Sequence, residues 1–539
     1  MIDFHSTGED KIVYNCQHAA AFSNNYKNYQ ANLDVASKAS IWRLTGLICT
    51  YGPSINSEAM LEDMMDLGMT MIRLKMCHLT QEECEEAIKL IRKANDNYSK
   101  KIGCVYPLPI AIDIKGSEIR TGSLRDTNQR EITMSQGNLV SIIPDPAYKD
   151  HVTEDMVYVD YEDIINVVES GDSIYLNNGS IRLCAIEIID NIIKCIVNSS
   201  GSLISRANVY MPEVPIDFPE ITERDLEDIK FAIDFGVDVL FIPGMRSKYP
   251  IMKLKEIIGT EGKSIQIIPK IDSYQALNKI NEIIEVSDGI VINRAALSID
   301  MPIEKVFLAQ KSITAKCNLA GKPVICSSQI LNSMICKCSR PTKSEACDIA
   351  NAVIDGIDCF LLSQETSIGY DPLEALITLS NICKESEGAI YQRQLLEDLS
   401  GSSIPPLEPI YALAMSAVQA SVKCKAAAIV MTTTSGRSAK IVARYRPRCP
   451  IIAVTRLEFV ARQLHIYRGI QPLVYVTPIN PCWYKDIENR MQYGITWGKV
   501  TGVIRAGDAI VLLSSSQPGA GFPNTFRIIY ASEYDTISK

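Results

Sequence analysis

From residue 43 onward, short apolar runs alternate with stretches that carry apolar residues every three to four positions. Runs of this length predict buried strands, and the stretches that follow them predict amphipathic helices. The predicted strands are 47–50, 71–74, 110–114, 237–242, 265–270, 289–293, 324–327 and 359–363. Eight strand–helix steps predict an α/β fold with a closed (β/α)8 TIM barrel. A doubly wound open sheet is the structural alternative.

The connection between the third and fourth predicted strands is about 120 residues long, far beyond an ordinary loop of a strand–helix unit. It contains β-like runs separated by Gly and Asn, which indicate an inserted all-β domain. A fresh alternation after residue 388 indicates a separate C-terminal α/β domain. The predicted division is an N-terminal arm (1–42), a first barrel segment (43–116), the inserted lid (117–217), a second barrel segment (218–387) and the C-terminal domain (388–539).

Composition narrows the classes of partner. The chain has 539 residues and a formal net charge of −9, which disfavours nucleic acid because phosphate backbones bind excess Lys and Arg. Its first residues lack a signal pattern, and no run approaches the roughly 20 apolar residues of a membrane span. The 17 cysteines lack the paired spacing of a disulfide framework, which favours free thiols in a reducing compartment. We therefore expect a cytoplasmic protein without a membrane partner.

Charged and hydroxyl side chains stand at the ends of the predicted strands. Barrel enzymes place their active sites at the carboxyl ends of the strands, so these positions carry the candidate chemistry. They are Arg73, Asp113, Arg120, Lys270, Asp272, Asn293, Arg294, Ser327, Ser328 and Glu365. Cations converging with carboxylates and hydroxyls suit phosphoryl transfer, in which the protein mainly positions groups and stabilises charge. A single Lys or Arg at a strand end is more often a solvated rim residue, but four charged groups on four different strand ends favour a phosphate-binding site.

Long segments of the chain resemble the pyruvate kinase family between about residues 43 and 532. The matching segments are ICTYGPSINS, IRLKMCH, AIDIKGSEIRTG, IIPKIDS, IEKVFLAQK, AGKPVICSSQIL, SRPTKSEACDIANAV and SGRSAKIVARYRP. The resemblance implies a glycolytic phosphotransferase that converts phosphoenolpyruvate and ADP to pyruvate and ATP. It also implies a tetramer, which could be homomeric or heteromeric, and a requirement for Mg²⁺ or Mn²⁺ and for K⁺.

The resemblance assigns roles to individual residues. It implies that Arg73, Lys270 and Ser328 are catalytic and, with Ala295 and Ala296, lie against the substrate. Nucleotide and phosphate binding is implied for Arg120, His78 and Arg206. Glu118 is also retained.

Several positions depart from the family pattern. The family holds its divalent cation with two carboxylates; here one is the shorter Asp272 and the other is replaced by Ala296. We expect Mg²⁺ to be weakly held, because it needs near-ideal oxygen coordination. Lid positions that are charged in the family are Asn177, Asn178 and Ala207.

The monovalent-cation site is altered too. The family's oxygen ligands correspond here to Lys75, Cys77, Asp113 and Ile114, so we expect poor K⁺ coordination. One hypothesis is that the Lys75 ammonium replaces K⁺ beside Asp113. The alternative is that Lys75 points to solvent.

The segment TTTSGRSA in the C-terminal domain is a Ser/Thr/Gly loop that opens a helix, and such loops bind anions. The resemblance identifies it with the family's effector phosphate site, for which a sugar bisphosphate is the suggested ligand. The implied residues are Thr433, Thr434, Ser435, Ser438, Trp483 and Arg490. An ordinary helix start is the alternative interpretation.

Three functions stay open at this point. The first is a pyruvate kinase with reduced activity, because Ala296 puts turnover in doubt. The second is a weak or inactive paralogue that acts as a ligand-binding or regulatory partner subunit. The third is an aldolase that forms a Schiff base on Lys270, which the long matching segments disfavour.

Overall fold

The computed structural model describes residues 17–116, 119–126, 129–177, 179–189, 191–212, 221–259, 262, 264–336, 340–403, 405–519 and 521–532. Two short helices precede the barrel, and three strands then begin it. These elements are α1 (His18–Ala21), α2 (Tyr26–Ala31), β1 (Gly46–Thr50), α3 (Glu58–Asp66), β2 (Met71–Lys75), α4 (Gln81–Ile102) and β3 (Ile110–Asp113). Helix α4 starts at a capping box in which Thr80 and Glu83 satisfy each other's backbone N–H groups.

An inserted β domain, called the lid, follows β3. It contains a seven-stranded sheet in the order β4-β12-β8-β9-β10-β6-β7 and a β11–β5 pair. Its elements are β4 (Ile119–Arg120), β5 (Glu131–Met134), β6 (Leu139–Ile143), β7 (Met156–Tyr158), α5 (Ile164–Val167), β8 (Ser173–Leu176), β9 (Ile181–Ile189), β10 (Ile192–Ser199), β11 (Gly201–Ile204) and β12 (Asn208–Tyr210). The lid has its own apolar core, separate from that of the barrel.

Five further strands complete the barrel. The elements are α6 (Glu223–Asp234), β13 (Val239–Ile242), α7 (Lys248–Ile258), β14 (Gln266–Ile271), α8 (Tyr274–Asn278), α9 (Ile280–Val286), β15 (Ile290–Asn293), α10 (Arg294–Asp300), α11 (Val306–Ala320), β16 (Val324–Ser327), α12 (Lys343–Asp355), β17 (Cys359–Leu361), α13 (Gln364–Ser367) and α14 (Pro372–Gly388). The closed order β1-β17-β16-β15-β14-β13-β3-β2 confirms the predicted eight-stranded parallel barrel and excludes the open sheet.

The alternation of each barrel strand separates packing from chemistry. Successive side chains of a strand point to opposite faces, so positions two apart share the barrel interior. Apolar side chains such as Ile48, Met71 and Ile268 fill that interior. The inward positions two residues further along are polar on seven of the eight strands: Thr50, Arg73, Asp113, Lys270, Asn293, Ser327 and Ser363. The barrel therefore ends in a polar layer at its carboxyl face.

The C-terminal elements form a five-stranded sheet with helices on both faces. They are α15 (Gln392–Gly401), α16 (Pro409–Lys423), β18 (Ala428–Thr432), α17 (Arg437–Arg444), β19 (Ile451–Thr455), α18 (Glu458–Leu464), β20 (Ile470–Val474), α19 (Trp483–Val500), β21 (Ala509–Ser514) and β22 (Thr525–Tyr530). The sheet order is β20-β19-β18-β21-β22, so the chain reverses its direction of winding between β18 and β21. In such sheets ligands bind at this switch point, outside the carboxyl ends of the strands.

The N-terminal segment packs on the connection between α14 and α15. The Tyr29 hydroxyl donates to the Ala389 carbonyl at 2.8 Å, and the Tyr391 hydroxyl donates to the Ser23 carbonyl at 2.9 Å. The two tyrosine rings stack with centroids 4.9 Å apart. Among the described residues, no helix is long and apolar enough to cross a membrane.

Candidate active site

Asp113 lies at the centre of the polar layer and contacts two cations. It is fully buried, and its Oδ2 accepts a hydrogen bond from Arg73 Nη1 at 3.0 Å. Lys270 Nζ lies 2.7 Å from Oδ1, an ion pair without the alignment of a hydrogen bond. Arg73 and Lys270 are themselves nearly buried. One carboxylate therefore faces two positive charges, and the cluster keeps a net positive charge that suits an anionic substrate.

Two hydroxyl groups that strand-end reasoning left out hold Arg73 in place. Thr50 Oγ1 accepts from Nε at 3.0 Å and from Nη2 at 2.7 Å, and Ser363 Oγ accepts from Nη2 at 3.1 Å. Thr50 in turn donates to the Leu362 carbonyl at 2.6 Å. Both hydroxyls stand at inward strand-end positions, so the period-two pattern would have identified them.

Ser328 lies just beyond β16, in a turn with unusual backbone geometry. Both Ser328 (φ 73°) and Gln329 (φ 54°) adopt the left-handed conformation, which side chains with a Cβ rarely occupy. Arg294 stabilises this turn, because its Nη2 donates to both carbonyls at 2.9 and 2.7 Å and its Nε donates to that of Ser328 at 3.1 Å. Arg294 also pairs with Asp348. The Ser328 hydroxyl is 2.9 Å from Asn293 Oδ1, to which it donates.

The lid adds two cations above the barrel mouth. Arg120 Nη1 donates to the Arg206 carbonyl at 2.8 Å, and Arg206 Nη1 reaches the Cys77 carbonyl at 3.5 Å. His78 stands at this junction with its side chain exposed to solvent. Enclosure by the surrounding atoms, followed by the nearby positive charges of Lys75, Arg120, Arg73 and Arg206, lowers the pKa of His78 well below its usual value. The structure thus brings four of the predicted phosphate-binding or cation-site residues together around His78.

The predicted divalent-cation site has few oxygen ligands. Asp272 Oδ2 accepts from the Gly244 N–H at 2.8 Å, so this carboxylate already contacts the loop after β13. Ala295 and Ala296 are buried in the first turn of α10 and offer only methyl groups. The described residues contain no group of three His, Cys, Asp or Glu side chains that could hold a metal ion. These side chains do not fit a Mg²⁺ ion held mainly by protein.

The predicted K⁺ ligands are also poorly suited to a cation. Cys77 is buried, and Ile114 belongs to the apolar core between barrel and helices. Asp113 is already engaged by Arg73 and Lys270. The strand register pairs Lys75 with Asp113, so both lie at the same level of neighbouring strands.

Two of the lid positions that depart from the family pattern pack against other residues of the lid. Asn177 adopts φ 49°, which Asn tolerates, and its side-chain amide donates to the Ser202 carbonyl at 2.7 Å. Ala207 is buried in the lid core. Glu118 and Asn178 lie outside the described residues.

The Ser/Thr/Gly loop follows β18, at the switch point of the C-terminal sheet. Thr433 Oγ1 accepts from the Gly436 N–H at 3.0 Å and from the Ser438 hydroxyl at 3.1 Å. Thr434 and Ser435 are exposed, and Gly436 starts α17 with φ 78°. Two hydroxyls and the first N–H groups of α17 therefore face the carboxyl edge of the sheet, where an anion could bind.

Trp483 and Arg490 lie on α19, whose first turn reaches the same edge. Arg490 Nη2 pairs with Asp486 Oδ2 at 3.1 Å, and Arg456 pairs with Oδ1 at 2.8 Å. Burial raises the pKa of Asp486, but the Asn480 N–H, Arg490 and Arg456 outweigh it and hold that pKa below the usual value. Arg456 was missed from the sequence, although it directly follows β19.

Two family models match the chain. One, described as pyruvate kinase, barrel domain, covers residues 42–376, and the other, described as pyruvate kinase, alpha/beta domain, covers residues 411–529. Together they span most of the sequence and divide it where the barrel gives way to the five-stranded sheet.

Characterised proteins are similar over nearly the whole chain. Human pyruvate kinase PKLR is 40% identical over 513 residues, which is 95% of the chain and 89% of PKLR. A pyruvate kinase of Candida albicans is 35% identical and covers 94% of the chain and 100% of its own length. Pyruvate kinase 1 of Saccharomyces cerevisiae is 34% identical, with 90% and 96% covered.

Proposed function

Because the chain belongs to the pyruvate kinase family, we propose that it transfers the phosphoryl group of phosphoenolpyruvate to ADP, with reduced activity. The observation that supports this proposal is the buried cluster in which Asp113 holds Arg73 and Lys270. A phosphate group placed over this cluster would meet two preorganised cations in a site of low dielectric constant. Such a site stabilises charge as it develops during transfer.

The proposed roles follow from the contacts. In the reaction the bond between phosphorus and the enol oxygen breaks, the phosphoryl group passes to ADP, and the enolate takes up a proton to give pyruvate. Arg73 and Lys270 would bind the transferred group, and Arg120, Arg206 and His78 would face the nucleotide phosphates from the lid side. The Ser328 hydroxyl would relay the proton to the enolate, and its hydrogen bond to Asn293 would hold it in position.

The metal site is the reason for proposing reduced activity. Enzymes of the family use Mg²⁺ or Mn²⁺, which neutralises phosphate charge when bound. Asp272 is the one side-chain carboxylate that remains of the family's pair, and Ala296 contributes none. Loss of groups that only orient metal ligands commonly costs about 10–100-fold, so loss of a ligand should cost at least as much.

Two cofactor and effector proposals accompany this function. We propose that Lys75 supplies the positive charge that K⁺ supplies in the family, given its register opposite Asp113. We also propose that the loop around Thr433, with Trp483 and Arg490, binds the phosphate of a sugar bisphosphate. The cytoplasmic location and the tetramer stay predictions.

A lactate-dehydrogenase-coupled assay tests the proposed reaction directly. Pyruvate formation from phosphoenolpyruvate and ADP should be detectable, slow, and faster with Mn²⁺ than with Mg²⁺ if the weak point is metal affinity. The variant Lys270→Met should abolish it, whereas Lys253→Met, an exposed lysine on α7, should not. Rates typical of an efficient enzyme would contradict the reduced activity, and activity that survives Lys270→Met would contradict the assigned site.

The second candidate is a regulatory partner subunit without turnover, and Ala296 is the observation that favours it. Such a subunit would still bind phosphoenolpyruvate, because the cation cluster is intact. Binding measured by calorimetry in a protein that shows no pyruvate formation with either metal would favour this candidate over the enzyme.

A further inference from the structure

A polar groove lies at the opposite end of the barrel from the candidate active site. It has a volume of about 200 Å³ and runs between the loops that precede β15 and β16 on one side and α16 and α17 on the other. Residues that precede parallel barrel strands lie at the amino face, away from the catalytic layer. None of the predicted site residues lines the groove.

Positively charged side chains outnumber negatively charged ones in the groove. Four cations line it, Lys322 from the barrel and Arg437, Lys440 and Arg444 from α17, against the single carboxylate of Asp288. That carboxylate is already engaged, because its Oδ2 accepts from the Ile267 N–H at 3.0 Å and lies 3.7 Å from Lys255 Nζ.

Two of the four cations are either paired with a carboxylate or fully hydrogen-bonded within the protein. Arg437 pairs with Glu408 at 2.6 Å. Lys322 Nζ donates to the carbonyls of Ile284, Glu285 and Ser287 at 2.6 to 2.8 Å, which occupies all three of its N–H groups. Lys322 therefore contributes charge to the groove but no further hydrogen bond.

Among the described residues, neither Lys440 nor Arg444 forms an ion pair with a carboxylate, since Asp288, the one carboxylate of the groove, pairs with Lys255. Aromatic rings position them instead: Lys440 Nζ lies 5.2 Å from the centre of the Tyr467 ring, and the Arg444 guanidinium lies 5.5 Å from that of Tyr411. Ring faces attract a cation without cancelling its charge. Burial lowers the pKa of Lys440, and Asp288 opposes this only in part.

We propose that this groove binds the phosphate group of a small phosphorylated molecule or of free phosphate, with Lys440 and Arg444 as its hydrogen-bond donors. Arg444 Nη2 donates to the Leu319 carbonyl at 2.6 Å, and a guanidinium has further N–H groups for a ligand. Phosphate fits better than a carboxylate because it carries up to two charges, and its oxygens match the fork of a guanidinium as well as a carboxylate does. A phosphate here would contact α17, which directly follows the loop around Thr433, and would face Lys322 on the barrel. It would therefore tie the C-terminal domain to the barrel at a place distinct from that loop.

Protection of lysines from acylation tests the proposal in the unmodified protein, and it needs no turnover. Inorganic phosphate should slow the labelling of Lys440, read by peptide mass spectrometry, while chloride at equal ionic strength should not. Exposed Lys253 is the internal control. Glycerol 3-phosphate serves as an organic probe: stronger protection than by phosphate points to a metabolite, and equal protection to free phosphate. Citrate, which carries carboxylates but no phosphate, is the third probe. The proposal would be overturned if neither phosphate probe changed the labelling of Lys440, or if citrate alone protected it.

Variants then separate this groove from the loop around Thr433. In a Ser435→Asp background, whose new carboxylate repels anions from that loop, Lys440→Gln or Arg444→Gln should weaken the groove's share of the phosphate binding measured by calorimetry about tenfold or more. Lys253→Gln should leave it unchanged. Binding that is insensitive to both groove variants would contradict the assignment, and if either variant fails to fold, the protection experiment decides.

Discussion

Asp113 forms ion pairs with cations from two other strands of the barrel. Its two oxygens face different cations, Arg73 from β2 and Lys270 from β14, so neither cation depends on a bound metal to stay in place. The same arrangement explains why a K⁺ ion would find little free oxygen here. At the scale of single residues, the cation cluster around Asp113 is intact, whereas the positions predicted to hold metal ions carry Ala296, Cys77 and Ile114.

The metal argument predicts a gain of function. Replacing Ala296 by Asp together with Asp272→Glu should restore two full-length carboxylates and raise kcat/KM with Mg²⁺ about tenfold or more. The measurement is the coupled assay over a Mg²⁺ titration. The matched control is Ala296→Asn with Asp272→Glu, which has nearly the same shape without the second charge. An equal gain in the control, or no gain in either, would place the defect elsewhere.

The Lys75 hypothesis predicts a change in salt dependence. The protein should be indifferent to K⁺ compared with Na⁺ at equal ionic strength, because the ammonium is covalently attached. Lys75→Asn should lose activity or phosphoenolpyruvate affinity and regain part of it with K⁺. Lys89→Asn, which removes an exposed surface lysine, is the control. A steep K⁺ response in the unmodified protein would favour the alternative, in which Lys75 only faces solvent.

At the scale of elements, the turn after β16 depends on a side chain from the neighbouring strand–helix unit. Arg294 donates to two successive carbonyls of residues in the left-handed conformation, and Asp348 and Gln310 contact it from the other side. Left-handed residues with a Cβ store strain that the surrounding structure must offset. The position of Ser328 is therefore set by the guanidinium of Arg294, not by β16 alone.

Arg294→Lys should disturb this turn while keeping the positive charge. A lysine cannot donate from a planar fork to both carbonyls, so we expect a loss of about 1–3 kcal/mol in the free energy of unfolding, measured in urea. Any phosphotransfer should fall with it, since Ser328 would lose its position. Arg437→Lys, an exposed arginine with one ion pair, should change the stability little. Equal stability of the two variants would contradict the bracing role.

The elements could be predicted well from the sequence, and the reason is periodicity. A strand such as β16 is a continuous apolar run between polar turns, and its predicted bounds, 324–327, agree with the structure. The inward polar positions follow from the same alternation. What could not be predicted are the pairings: that Asp113 takes both Arg73 and Lys270, or that Asp272 accepts from the Gly244 N–H, depends on residues brought together by closure of the barrel.

At the scale of the whole molecule, buried polar contacts join the barrel to the C-terminal domain. Arg462 on α18 pairs with Asp238 before β13 at 2.7 Å. His465 lies 2.9 Å from the Pro107 carbonyl through Nδ1, which must carry the proton because a carbonyl only accepts. These contacts, like the groove at Lys440, join segments that are far apart in the sequence, and no local pattern announces them.

The interface predicts a pH dependence of stability. Burial lowers the pKa of His465 to about 4, against 6.5 when exposed. Between these values the unfolded chain binds more protons, so stability is full above pH 6.5 and falls as the pH drops towards 4, by up to about 3 kcal/mol. His465→Gln should flatten this part of the profile, measured by urea unfolding at each pH, whereas His151→Gln in the lid should not. A profile unchanged by His465→Gln would contradict the buried neutral state.

The insertion of the lid has a consequence for the order of events during synthesis. Barrel closure pairs Ala111 of β3 with Val239 of β13, although 128 positions separate them. Inside the lid, however, Arg120 and Asn208 lie on paired strands, so a folded lid brings its own two ends together. Folding of the lid therefore incurs the entropic cost of closing the long loop before the barrel forms. Strands β3 and β13 then have only a short distance left to close. In a nascent chain with an unfolded lid, the edges of β3 and β13 would stay unpaired and could pair with other chains, which promotes aggregation.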